Sequence, residues 1–115
     1  MAYKIVVVDI PEGVESIGKA AFMNCVSLTT VSFPKTLTSI GARSFYQCSS
    51  LDNVDLLHTN LKQLGHQAFH FCWNLKSMTI PDSLQTLEPG VFDECPKLVP
   101  SKVGFYDSNA VVAHL

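Results

Sequence analysis

Apolar residues recur along this chain in a pattern that repeats every 23 or 24 residues. The stretch at residues 11–33 is followed by copies at 34–56 and 57–80 and by a partial copy from residue 81 onwards. One cysteine marks the same point of each copy, and the four cysteines are separated by 23, 24 and 23 residues. Repeats of this length predict a solenoid, because a single short repeat buries its apolar face only by stacking on its neighbours.

Within each repeat the pattern predicts a strand, a turn, a short extended piece, a glycine turn and a short helix. Residues 3–10 are rich in β-branched side chains and end at Pro11, which indicates a strand. In the first full copy the apolar stripe falls at i, i+1, i+4 and i+7, the spacing of about two helical turns. That stripe consists of Ala21, Phe22, Cys25 and Leu28.

The chain is therefore predicted to be one domain covering residues 1–115. Its parts are a partial repeat at 3–10, repeats at 11–33, 34–56, 57–80 and 81–103, and a C-terminal cap or tail at 104–115. Val103, Phe105 and Tyr106 are candidates for a capping strand. The apolar ending of the chain is either a cap on the last repeat or an association surface.

The string IPxxVxxIGxxAFxxCxxLxxVxF, which covers residues 5–98, resembles the BspA-type leucine-rich repeat. The resemblance implies an α/β solenoid: a right-handed superhelix of four to five short rungs, with a parallel strand sheet on the concave face and short helices opposite. It also implies a binding or adhesion module at the cell surface or secreted, without catalytic residues or cofactor. The chain departs from the pattern at Ser44, Leu57, Glu88 and Val91.

Charge and composition narrow the partner classes. Apolar residues make up 47% of the chain and charged residues only 16%, which favours a folded chain over a disordered one. A net charge of −2 provides no basic surface for nucleic acid. The longest apolar run, residues 5–8, is too short to cross a membrane, and no signal-peptide pattern is visible, so a cytoplasmic location stays open beside the cell surface.

The four cysteines are predicted to be reduced and buried. Each occupies the same position of its own repeat, as a small core side chain would. Equivalent residues on stacked helices would lie roughly 8–10 Å apart, beyond the reach of about 7 Å between Cα atoms that a disulfide needs. The alternative is one or more native disulfides.

The outward residues of the LxxLxL strands predict a polar, ligand-binding concave face. Hydroxyl, amide and carboxylate groups on this face can hydrogen-bond a peptide or a sugar. The candidate residues are Thr30, Ser32, Asp52, Asn53, Asp55, Ser77 and Thr79. The alternative is an ordinary solvated strand surface, since Thr and Ser are good exposed strand residues.

The third repeat differs most from the others and carries the second candidate site. His70, Phe71 and Trp73 stand where the other copies have smaller or more polar residues, and large aromatics are enriched at interface hot spots. The alternative for Trp73 is packing over the turn of its own repeat. His66 and His70 at i, i+4 would also suit a metal on a helix, but no third ligand accompanies them, so no metal site is predicted.

Two function classes remain. No serine-nucleophile or phosphate-loop motif is present and no cofactor is indicated, which argues against an enzyme. The first class is a module that recognises a protein or glycan ligand without inserting into a membrane. The second is a structural unit that forms homo-oligomers through its terminal rungs, where apolar surface and strand edges lack a cover.

Overall fold

The structure is a computed structural model that describes residues 4–88 and 90–98. The end of the fourth predicted repeat, the proposed capping strand and the predicted cap or tail at 104–115 lie outside the described residues. Within the described part, two short strands recur in each repeat. The strands are β1 (Val7–Asp9), β2 (Ser16–Ile17), β3 (Thr30–Ser32), β4 (Ser39–Ile40), β5 (Asn53–Asp55), β6 (Gln63–Leu64), β7 (Ser77–Thr79) and β8 (Thr86–Leu87).

The strands pair in parallel from one repeat to the next, as stacked rungs require. The sheet β2-β4-β6-β8 runs through four repeats, with Ile17 opposite Ile40 and Leu64 opposite Leu87. The LxxLxL strands pair as β1-β3 and β5-β7. Every partner lies 23 or 24 residues away in the chain, so the sequence period and the structural period are the same. The fold is a parallel-strand solenoid of about four turns.

The predicted short helices are wrong. The described residues contain no α-helix, and the segments that carry the Phe and Cys stripe are chains of turns. In the first of them, Ala21 N–H donates to Gly18 O at 3.2 Å, while the N–H of Phe22 donates to Ser44 O of the next repeat at 2.7 Å. Alternate amides thus bond within a repeat and between repeats. A helix would keep all of these bonds within the segment, so stacking and helix formation compete for the same donors.

A left-handed residue at every fourth position makes these turns. Two such corners occur in each repeat, at φ between 55° and 61° in the non-glycine residues. The first corner is formed by Ala20, Arg43, Gln67 and Gly90, and the second by Asn24, Gln47, Phe71 and Glu94. Corners spaced four residues apart turn the same residues inward as a helix would, which is why the apolar stripe resembled one.

The core is a set of columns, each built from the same position of successive repeats. The phenylalanine column is stacked: ring centroids are 5.2 Å apart for Phe22 and Phe45, 5.2 Å for Phe45 and Phe69, and 6.3 Å for Phe69 and Phe92. Phe45 and Phe69 are fully buried, whereas Phe22 is only partly buried. Each ring therefore needs the neighbouring repeats for its burial, as expected for a solenoid.

The glycine turns allow adjacent repeats to approach closely. A Cβ added at Gly65 would lie 2.6 Å from Ala42 N and 2.7 Å from Gly41 C. These contacts are with backbone atoms, which cannot move aside without disturbing the β4–β6 pairing. At Gly18, by contrast, an added Cβ meets nothing within 4 Å. Glycine is thus required at this position inside the stack, whereas a residue with a side chain would fit at the same position of the first repeat.

The LxxLxL strands do not form one continuous sheet. Among the described residues, no backbone hydrogen bond joins β3 to β5, although the same two repeats are paired through β2 and β4. The turn that carries the extra residue of the third repeat bonds the junction between the first and second repeats. His58 Nε2 donates to Phe33 O at 2.6 Å, and Asn60 Nδ2 donates to Lys35 O at 3.0 Å.

Candidate functional site

The polar strand face consists of the outward side chains of β1, β3, β5 and β7. These side chains bond one another in pairs across neighbouring strands. Ser32 Oγ donates to Asp9 Oδ1 at 2.5 Å, and Thr79 Oγ1 donates to Asp55 Oδ1 at 2.6 Å. Ser77 Oγ donates to Asn53 Oδ1. The face therefore satisfies much of its own hydrogen-bonding capacity and leaves fewer free groups for a ligand.

The two predicted carboxylates of this face have different surroundings. Asp55 accepts bonds from Thr79 Oγ1 and from Leu57 N–H, the latter at 3.1 Å. The Thr79 hydrogen bond lowers the pKa of Asp55, against a smaller opposing effect of burial. The carboxylate of Asp52 is exposed outside the strand. Thr30 is exposed on β3, across the unpaired gap from β5.

The third-repeat aromatics form one cluster with a residue of the second repeat. His70 stacks on Tyr46 with ring centroids 5.2 Å apart, and Phe71 lies 4.2 Å from His70 and 5.6 Å from Tyr46. Trp73 lies 5.6 Å from Phe71 and is 43% exposed. We call Tyr46, His70, Phe71 and Trp73 the aromatic corner. Tyr46 was missed from the sequence, although it occupies the position of His70 one repeat earlier.

Two features of the aromatic corner oppose stability. Phe71 has φ 61° at a corner where the other repeats carry Asn24, Gln47 and Glu94. The left-handed conformation is tolerated best by Asn and is unfavourable for a bulky side chain. In addition, His70 Nδ1 is buried without a hydrogen-bond partner among the described residues, and an unpaired buried polar atom costs stability. Local strain of this kind concentrates at functional sites.

The cysteines lie inside the solenoid as four free, buried thiols. The predicted separation of roughly 8–10 Å between equivalent residues is wrong, because hydrogen-bonded rungs lie roughly 4.8 Å apart. Three of the thiols instead bond the preceding repeat: Cys48 Sγ donates to Phe22 O at 3.1 Å, Cys72 Sγ to Phe45 O at 3.2 Å and Cys95 Sγ to Phe69 O at 3.0 Å. Burial raises the pKa of Cys48 to about 12. Cys48 is therefore a core group that stays protonated at neutral pH.

The two histidines considered for a metal do not lie on a helix. His66 is exposed, whereas the His70 ring packs between Tyr46 and Phe71. The described residues gather no group of three or more His, Cys, Asp or Glu side chains that could hold a metal ion. Nor does any helix in the described ranges have the length and apolar character needed to cross a bilayer.

An open groove of about 340 Å³ lies over the glycine turns of the second and third repeats. Its lining includes Gly41, Ala42, Gly65, Gln63 and His66. Gly41 and Gly65 must lack a side chain for the repeats to stack, so close packing accounts for the open space above them.

Comparison with known proteins identifies the type of repeat. A family model described as a BspA type leucine rich repeat region matches residues 2–110, with six copies. A search of curated proteins finds no match. Among solved structures, the chain is similar to the crystal structure of a T. pallidum leucine-rich repeat protein (TpLRR), at 30% sequence identity and a TM-score of 0.78. The similarity covers 82% of this chain and 44% of that one, so the chain spans less than half the length of that protein.

Proposed function

The chain belongs to the BspA-type leucine-rich repeat family, and we propose that it is a non-enzymatic recognition module that binds a segment of a partner protein through the aromatic corner. Leucine-rich repeat proteins are generally non-enzymatic, and the repeat suggests protein interaction. Proteins of this family are often surface-associated, which supports a role in adhesion at the cell surface.

One observation carries the choice of the aromatic corner. Phe71 keeps a strained left-handed backbone at a position where three other repeats have polar residues. The turn itself does not require a large apolar side chain, because Asn24, Gln47 and Glu94 make the same turn without one. The strain is offset if Phe71 and the exposed Trp73 contribute to binding, as central aromatic residues do at interfaces.

The polar strand face is less suited to the same role. Three of its hydroxyls already donate to a carboxylate or amide oxygen of the neighbouring strand, in the pairs Ser32–Asp9, Ser77–Asn53 and Thr79–Asp55. A glycan or peptide bound there would have to replace these bonds, which reduces the net gain from each new contact. This face is therefore the competing site in the test below.

The test selects short peptides from a displayed library on the purified chain and then measures their affinities for two sets of variants. Phe71→Asn and Trp73→Ala alter the aromatic corner, whereas Asp55→Asn and Asn53→Ala alter the strand face. We expect a loss of at least roughly tenfold in affinity with each corner variant, the size of a truncated hot spot. The thermal unfolding of each variant is measured as a control, because only a variant that is still folded can show a loss of binding.

The opposite pattern decides against the proposal. If the strand-face variants abolish binding and the corner variants retain it, the ligand lies on the strand face. Selected glycans tested on the same four variants extend the comparison to carbohydrate ligands.

A specific observation favours self-association as a second candidate function. Among the described strands β1 pairs only with β3, and Val6 and Val7 are 50% and 63% exposed. An exposed apolar edge strand is a template for pairing with another chain. Light scattering across a concentration series tests this function: a mass that rises with concentration and falls in Val7→Lys supports it, and a constant monomer mass excludes it.

A further inference from the structure

Two carboxylates lie beside the aromatic corner on the next repeat. Phe71 N–H donates to Asp93 O at 3.1 Å, and Phe69 N–H donates to Val91 O at 2.9 Å. This register places Asp93 next to His70 and Glu94 next to Phe71. Asp93 and Glu94 are both exposed. Aromatic rings from the second and third repeats are thus followed, in the same surface columns, by two negative charges from the fourth.

The cationic side chains near this surface bond neutral amides. Arg43 Nε donates to Gln67 Oε1 at 2.7 Å at the first corner of the turn. Lys97 Nζ donates to Asn74 Oδ1 at 2.7 Å, one column beyond Trp73. Neither bond uses the carboxylates of Asp93 or Glu94, which remain exposed to a ligand that approaches across the rings.

Ring faces beside carboxylates suit one kind of ligand group. A guanidinium or ammonium group is attracted to the face of Trp, Tyr or Phe, and its N–H donors can pair with a neighbouring carboxylate at the same time. Arginine fits best, because its planar group stacks on a ring and presents several donors at its edge. An acidic segment would be repelled by the same two carboxylates.

We propose that the aromatic corner, together with Asp93 and Glu94, recognises an arginine or lysine side chain in a basic peptide segment of the partner. This inference rests on the proposed function, since it specifies the partner class for the same site. The cation lies over the half-buried ring of Phe71 and the exposed ring of Trp73, and Asp93 and Glu94 accept hydrogen bonds from its nitrogen atoms.

The probe is a short synthetic peptide of alternating arginine and glycine, compared with a peptide in which glutamine replaces each arginine. Trp73 is the only tryptophan of the chain, so its fluorescence reports binding at this site directly. We expect a saturable change in Trp73 emission with the arginine peptide at concentrations up to about 1 mM. The glutamine peptide should bind at least about tenfold more weakly.

A charge-matched pair of variants tests the two carboxylates. Asp93→Asn/Glu94→Gln removes both charges and leaves at position 94 the residue type that Gln47 has at the same corner. Glu12→Gln/Glu15→Gln removes two exposed charges from the first repeat. We expect about a tenfold loss of affinity for the arginine peptide in the first variant and almost none in the second.

Each failure has a distinct meaning. Equal affinity for both peptides overturns the inference of a basic ligand but leaves binding at the corner in place. Equal losses in both charge variants show non-specific attraction and also overturn it. Absence of a saturable Trp73 response to the arginine peptide overturns the inference as well. Failure of the proposed function appears separately, as library-selected ligands whose affinity does not change in Phe71→Asn.

Discussion

The solenoid contains two groups of aromatic rings, the phenylalanine column inside and the aromatic corner outside, and they differ in composition and in ring geometry. The inner stack is made of the same residue type in every repeat, with neighbouring ring planes within 17° of parallel. The aromatic corner is made of four different side chains, confined to two repeats, with ring planes from 16° to 82° apart.

The difference separates the requirements of the fold from those of binding. A residue that the stack needs has to recur, because every repeat presents the same surface to its neighbours. A residue that appears once, at a strained corner, is not maintained by stacking. Substitutions at recurring inner positions should therefore affect stability more than substitutions at outer positions.

The largest effect is expected for loss of an inner ring. Phe45→Ala should destabilise the protein by about 3–5 kcal/mol, because a ring packed on both sides is replaced by a cavity. Tyr46→Ala, one residue away and partly exposed, should cost about 1 kcal/mol or less. Urea unfolding of the two variants measures both losses of stability. Equal losses would show that the aromatic corner also supports the fold.

The next largest effect on stability is expected for substitution of a glycine turn, and it should differ between two glycines at the same position of their repeats. Gly65→Ala places a Cβ against the backbone of the second repeat and should cost about 1–3 kcal/mol. Gly18→Ala meets open space and should be neutral or stabilise by up to about 1 kcal/mol. If the two variants unfold at the same temperature, the repeats do not approach as closely at Gly65 as described.

Alkaline pH should weaken the inner columns. The pKa of Cys48 is raised from 9.0 to about 12 by burial and by the neighbouring Cys25. Below pH 9 the thiol is protonated in both states. Above it the unfolded state releases the proton first, so stability falls as pH rises towards 12, by about 1.4 kcal/mol for each unit. Cys48→Ala should flatten this slope in denaturant titrations, and an unchanged slope would contradict the burial.

The smallest effect on stability is expected for the polar strand face, at acidic pH. The Thr79 hydrogen bond lowers the pKa of Asp55, so the stability that it provides is present above the unfolded pKa and is lost as pH falls through the folded value. The group is largely exposed, which limits the effect. Thr79→Val should raise the pKa of Asp55 in an NMR titration, and an unshifted titration would show that this bond does not persist in solution.

Recurrence made the inner parts of the fold predictable from sequence. The period, the LxxLxL strands and the buried cysteine column all follow from residues that return every 23 or 24 positions. The turns were not predictable in the same way, because a corner every fourth residue and a helix turn the same side chains inward. Asn24, at a left-handed corner, was the available signal, since Asn favours that conformation.

The aromatic corner and its neighbouring carboxylates depend on how successive repeats align, and the sequence of a single repeat does not reveal that alignment. Tyr46 joins the aromatic corner only because it stacks under His70, and Asp93 lies beside it only because the fourth repeat continues the same column. The unpaired gap between β3 and β5 has no sequence signal that we recognise. The mutual hydrogen bonds of the strand face, such as that between Thr79 and Asp55, depend on the same register between repeats.

The central claim is that the aromatic corner serves binding and is not needed for folding. One variant tests it most directly: His70→Tyr, Phe71→Gln and Trp73→Ser together give the third repeat the residues of Tyr46, Gln47 and Ser49. Affinity for library-selected ligands and the free energy of unfolding are measured on the same sample. We predict that stability is kept to within about 1 kcal/mol and that binding is lost. A variant that unfolds, or one that folds and still binds, would contradict the account.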